Sequence, residues 1–244
     1  MKKKTAKKAP PKKNLKKEIR RHANKKQAKT LSWFFKTGKG EYGEGDKFLG
    51  IKVPPLRALA NAFSEASFKE VEELLKSPYH EERLTALLIL VKKYSLEKSD
   101  EAKEKIYKFY IKHMKHINNW DLVDLSAQYI IGHFLENKNK NILLKWARSN
   151  DLWTRRIAII STLHLIRRGQ FATTLKIAQL LLKDDQDLIH KATGWLLREI
   201  GKRDVKTLED FLKKHYKTMP RTMLRYAIEK FPEQIRKAYL KGTI

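Results

Sequence analysis

From Val53 onward, apolar side chains recur every three or four residues, and no segment alternates long enough to require a strand. Short breaks punctuate the pattern at Ser77-Pro78, Asn118-Asn119, Asn150-Asp151, Asp184-Asp185 and Met219-Pro220. Each precedes a helix-length run: SPYHEERLTALLILVKKY, NNWDLVDLSAQYIIGHFL, NDLWTRRIAIISTLHLIRRG, DQDLIHKATGWLLREIGKRD and MPRTMLRYAIEKF. Laid over one another, the runs form an internal repeat. Corresponding positions near their starts hold Arg83, Asp124, Arg156, Lys191 and Arg225, at intervals of 41, 32, 35 and 34 residues. That period is one helix–turn–helix unit. A single helix pair cannot bury its apolar stripe, so neighbouring pairs stack. The expected fold is all-α: a right-handed α-solenoid of helix pairs with one concave face.

Stacking lines up equivalent positions. Four of the five are basic, which predicts a stripe of positive charge along the concave face; the exception is Asp124. In its run, Leu122, Leu125, Tyr129 and Ile130 can form the core stripe, while Trp120, Asp124 and Gln128 follow at i, i+4 and i+8 on the other face. An acid in a first helical turn also suits the helix dipole, and a tryptophan at a helix entry can act as a hydrophobic staple. In the fourth run Ile189, Ala192, Leu196 and Ile200 form the apolar stripe, and Lys191, Trp195 and Arg198 lie on the charged side. A tryptophan between two cations is poorly explained as core. Trp146, within LLKWA, reads as a packing residue.

Composition sharpens the charge argument. The 244 residues carry a formal net charge of +27, with 41% hydrophobic and 33% charged residues. Residues 1–26 hold 13 Lys/Arg and one acid, Glu18, which leaves +15 on the remaining 218 residues. The first 26 residues are expected to be a disordered lysine-rich tail, or helical only near its end, serving as a DNA-binding arm, a targeting signal or a solubilising extension. Residues 27–244 are expected to form the repeat domain. Such a charge points to nucleic acid or an anionic surface. No run of about 18 uncharged apolar residues exists to span a bilayer. The chain has no cysteine, which excludes disulfides, thiol catalysis and thiolate-bound metal. Regularly spaced cations suit the phosphates of a nucleic-acid backbone.

At FFKTGKGEYGEGDKFLGIKVPPLRALA, NNWDLVDLSA, DLWTRRIAIIST and LIHKATGWLLRE, from about Ser32 to Leu240, the sequence resembles the AlkD-like family of DNA alkylation repair enzymes, glycosylases built from HEAT-like repeats. The family's W-x-x-x-D element matches Trp120 and Asp124, its arginine at the start of the next repeat matches Arg156, and its GW tryptophan matches Trp195, followed by Arg198. The resemblance implies a HEAT-like solenoid with a concave basic groove. It also implies hydrolysis of the N-glycosidic bond of N3- or N7-alkylated purines in duplex DNA, without full base flipping. Asp124, Trp120 and Trp195 would be catalytic, with Arg156, Lys191 and Arg198 on phosphates; Arg83 and Arg225 extend that DNA-binding set through the repeat. No cofactor and no metal are expected, the partner is duplex DNA with alkylated bases, and the state expected is a monomer in the cytoplasm, associated with the nucleoid. The alternatives are a non-catalytic HEAT-repeat protein that binds damaged or branched DNA, and a scaffold for acidic proteins.

Other signals carry less. GKGEYG, residues 38–43, matches G-x-G-x-x-G but has no βαβ unit around it and reads as a flexible loop. His113 and His116 lack a third ligand on the same turn. Asp184, Asp185 and Asp187 read as cap and first-turn residues. A nucleic-acid partner predicts that binding to duplex DNA weakens steeply with salt; a slope of log K against log salt near zero would remove DNA as the partner.

Overall fold

The computed structural model describes residues 14–244. These residues are helical, with no strand among them and one isolated bridge between Lys47 and Tyr79. The chain divides into two compact units, one ending at Ala86 and the other beginning at Leu87.

The first unit contains α1 (Leu15–Arg21), α2 (Lys25–Phe34), α3 (Val53–Ala62), α4 (Phe68–Leu75) and the first turns of α5 (His80–Leu96). Its helix starts follow local chemistry. Asn14 and Asn24 accept from the backbone of Lys17 and Gln27, and Ser67 with Glu70 forms a capping box. Residues 1–13 of the expected tail lie outside the described residues. Residues 14–26 are not extended: they form α1 and the start of α2, because Leu15 and Ile19 are apolar groups that find a core and are buried there. The segment that follows the glycine-rich loop is tethered. The buried Glu81 carboxylate accepts from the backbone N–H groups of Leu49 (2.8 Å), Gly50 (2.7 Å) and Ile51 (3.1 Å). Glu82, also buried, accepts from Arg20 Nε at 2.6 Å and Ser77 Oγ at 2.5 Å.

The second unit continues with α6 (Asp100–Lys112), α7 (Trp120–Asp124), a π-helical turn (Gln128–Gly132), α8 (Asn141–Trp146), α9 (Leu152–Arg167), α10 (Ala172–Leu180), α11 (Asp187–Gly201), α12 (Val205–His215), α13 (Arg221–Ala227) and α14 (Glu233–Lys241). The sequence breaks at 118–119, 150–151, 184–185 and 219–220 each fall just before a helix start. Helix α7 packs on α9, α9 on α11 and α11 on α13; α8 and α10 pack on α9, while α10 and α12 pack on α11. Helix α9 is the centre of the unit and is buried nearly all round. Its hydroxyls are satisfied within the helix, Ser161 Oγ donating to Ile157 O at 2.6 Å and Thr162 Oγ1 to Ile159 O at 2.7 Å.

Two glycines set the helix spacing. A Cβ on Gly132 would stand 2.1 Å from the Ser161 carbonyl oxygen of α9, and one on Gly194 would stand 2.4 Å from that of Met223 in α13. Backbone approaches backbone at both crossings, and no side chain fits. The π-helical turn that contains Gly132 also shifts the helical phase. Tyr129, expected in the core stripe with Leu125, is therefore exposed, and Leu125 is only half-buried. Gln128, expected beside Asp124 on the open face, is instead buried and donates to the Asp124 carbonyl at 2.9 Å. In the fourth run Ile189, Ala192, Leu196 and Ile200 are all buried, as the periodicity requires.

Gly194→Ala gains about 1 kcal/mol of helix propensity but meets backbone, where overpacking costs about 1–3 kcal/mol. The net expectation is a lower urea midpoint with an unchanged m-value. A raised midpoint would show that the α11–α13 crossing can spread at little cost.

Candidate nucleic-acid interface and carboxylate site

The site begins at a short helix. Asn119, in extended conformation, accepts from the Trp120 N–H at 2.8 Å and starts α7, which runs only to Asp124 before the backbone changes course. Trp120 and Asp124 thus sit at the two ends of one helical turn, both half-buried. Beneath them Tyr110 OH pairs with Ser126 Oγ at 2.9 Å, and Ser126 Oγ lies 2.5 Å from the Leu122 carbonyl.

Asp124 is held by a bidentate ion pair. Arg156 Nε donates to Oδ1 at 2.9 Å and Nη2 to Oδ2 at 2.8 Å, while Nη1 donates to the Leu188 carbonyl at 2.5 Å. Side-chain exposure is 6% for Arg156 and 16% for Asp124, so the carboxylate keeps an open edge and the guanidinium almost none. Burial pushes the Asp124 carboxyl above its ordinary value; the charge and hydrogen bonds of Arg156 pull it back toward ionisation. Three of the five guanidinium N–H donors are committed within the protein.

The other expected residues are placed as follows. Lys191 and Trp195 are half-buried, one turn apart on α11. Lys191 pairs with Asp187 at 2.6 Å with both side chains largely exposed, a contact of about 0–1 kcal/mol. Arg198 pairs with Glu229, and its Nε is buried without a partner among the described residues. Arg225 is exposed on α13. Arg83 belongs to the first unit, where it is buried and paired with Asp46 at 2.6 Å, its Nη1 donating to the Ser77 carbonyl at 3.0 Å. Its guanidinium therefore serves the fold of that unit. Asp184 does more than cap. It accepts from Arg155 Nε at 2.6 Å and so ties α9 to the start of the next repeat. Among the described residues no group of three or more potential ligands could hold a metal ion, and no helix is long and apolar enough to cross a membrane.

The sequence reading passed over a second polar cluster at the far end of the same helices. Tyr94 OH lies 3.0 Å from His133 Nδ1, the His133 and His164 rings are 5.0 Å apart, and His164 Nε2 meets Glu136 at 2.7 Å. A signal was available: His133 and His164 fall nine and eight residues after the repeat positions Asp124 and Arg156.

A family model described as DNA alkylation repair enzyme matches residues 15–231. Among solved structures, one described as a predicted DNA alkylation repair enzyme from Enterococcus faecalis is similar, with a TM-score of 0.67 and 17% identity over 87% of this chain and 98% of that one. A comparison with curated proteins returned no match.

Removing one partner of a buried ion pair costs about 3–5 kcal/mol, so Arg156→Met is expected to lose about 3 kcal/mol in urea unfolding at pH 7. Adding Asp124→Leu should restore much of that loss, since no carboxylate is then left buried alone. Additive losses in the double variant would show that the two groups act independently.

Proposed function

The chain belongs to the DNA alkylation repair enzyme family, and from that premise we propose that it is a DNA glycosylase acting on N3- or N7-alkylated purines in duplex DNA. The single observation that carries the reading is the half-buried Asp124 carboxylate, open along one edge and oriented by Arg156, on the same helical turn as Trp120. In this reading the helix pairs of the second unit form a HEAT-like solenoid, and the starts of α7, α9, α11 and α13 line a concave basic groove.

Alkylation at N3 or N7 gives the purine a positive charge, so it leaves readily as a neutral base. The electron pair of the breaking C–N bond goes to the base, and the deoxyribose becomes oxocarbenium-like. A carboxylate already oriented and partly desolvated stabilises that cation at no further cost in reorganisation, and it can accept a proton from the attacking water. Trp120 and Trp195 would flank the sugar, each contributing about 0.5–2 kcal/mol through cation–π contact. Arg156 orients Asp124; Lys191, Arg198 and Arg225 hold backbone phosphates. No snug base pocket is needed when the lesion is handled from the backbone side. This chemistry calls on no metal or cofactor.

Incubation with methylated duplex DNA is expected to release 3-methyladenine or 7-methylguanine, and Asp124→Asn to slow release by about 100–1,000-fold. Release of neither base by the wild-type protein would favour the non-catalytic DNA-binding reading. Equal rates for the wild type and Asp124→Asn would remove Asp124 from the chemistry. Only ionised Asp124 serves the sugar cation, so the rate should fall as pH drops through its raised pKa. Arg156→Met removes the cation that opposes that rise, and the acid limb should move to higher pH.

A further inference from the structure

The polar cluster at the other end of these helices lines a cavity of about 260 Å³ formed by Val91, Tyr94, Ser95, Lys103, Tyr129, His133 and His164. We propose that this cavity is a second phosphate subsite, which takes a backbone phosphate of the nucleic-acid strand through Lys103, His133 and His164, with Tyr129 against the adjoining nucleoside. The strand assignment rests on the DNA reading above; the phosphate chemistry rests on the cavity itself.

Side chains able to carry positive charge meet there from three elements. Lys103 comes from α6, His133 from the end of the π-helical turn and His164 from α9. Burial pushes the Tyr94 phenol up, so its hydroxyl stays protonated and shares a hydrogen bond of 3.0 Å with His133 Nδ1. His133 Nε2 makes no hydrogen bond among the described residues. His164 gives Nε2 to Glu136 and leaves Nδ1 without a partner among them. Lys103 lies over the Tyr94 ring at 5.8 Å and makes no ion pair among the described residues.

Around the cavity Lys103, Arg168 and the two histidines face two acids, Glu136 and Asp100, the latter acting on Tyr94. Glu136 spends one oxygen on His164 and the other on Arg168 at 3.2 Å. His133 is consequently held below its ordinary value, first by burial and then by His164 and Lys103, with Arg168 adding to them and Glu136 alone opposing. A pocket lined by Lys103 and two histidines, each with a ring nitrogen that no described group takes, is a site for an anion. Tyr129, 40% exposed at the rim, offers an aromatic face of the kind on which a base stacks. His164 lies about 12 Å along α9 from Arg156, at a rise of about 1.5 Å per residue. The cavity is therefore distinct from the Asp124 carboxylate.

Two measurements on the full-length protein test the assignment. In ring ¹H–¹⁵N spectra, inorganic phosphate should shift His133 and His164 more than exposed His22. In salt titrations with an undamaged duplex, Lys103→Ala and His133→Ala should each weaken binding about 3–10-fold at 0.1 M salt and lower the log K–log salt slope by about one, with Lys103→Arg restoring the slope. Lys103 is half-buried on a surface helix, so its substitution remains interpretable even if His133→Ala disturbs packing. Histidine signals unmoved by phosphate would overturn the site. Phosphate-induced shifts with an unchanged slope in Lys103→Ala would assign the cavity to a free anion and overturn the strand assignment. A lowered slope in a protein that releases no alkylated base would keep this subsite while removing the glycosylase reading.

Discussion

The second unit depends on one arginine. Arg156 projects from the central helix, grips both oxygens of Asp124 on the preceding repeat and donates to Leu188 at the start of the next. Helices α7 and α9 and the start of α11 are therefore tied together by a single guanidinium. Coulomb attraction at such distances is worth about 4 kcal/mol at an effective dielectric of 20, yet desolvation of the two ions consumes much of it. The pair accordingly contributes little net stability. Its effect is geometric: it ties α7, α9 and the start of α11 together and leaves an edge of the carboxylate open.

The close crossings make that reach possible. Gly132 lets its π-helical turn approach α9, and Gly194 lets α11 approach α13, to backbone contact, where any side chain would force the elements apart. Ridges-into-grooves packing tolerates small shifts, but a guanidinium fork that must meet a carboxylate and a carbonyl does not. The π-helical turn belongs to the same construction. It ends the register set by α7 soon after Asp124, buries Gln128 beneath the carboxylate-bearing turn and turns Tyr129 outward. One backbone irregularity thus separates the two ends of this helix layer, the acid with its arginine at one end and the histidines with Lys103 at the other.

Some of this was legible in the residues. Helical periodicity follows from local spacing alone, so the all-α fold and the starts of α7, α9, α11 and α13 could be read from Asn119, Asp151, the acids at 184–185 and Pro220. The apolar stripe of α11 was readable for the same reason. The candidate residues were readable as types at matching positions in successive runs. Where local rules were overridden, the reading failed. A regular period of 3.6 cannot anticipate an inserted π-helical residue.

The partnering of the charges lay beyond any spacing argument. In sequence Arg83 and Arg156 look like members of one cationic stripe. In the fold each is buried against a carboxylate that is distant along the chain, Asp46 for one and Asp124 for the other. Sequence by itself determined the net charge, the helical period and which side chains recur from repeat to repeat, because those are properties of neighbouring residues. Only the tertiary structure decided which cations are spent inside the protein and which face the solvent. Desolvation and ion pairing depend on what the fold brings within a few ångströms, and distance along the chain does not encode that.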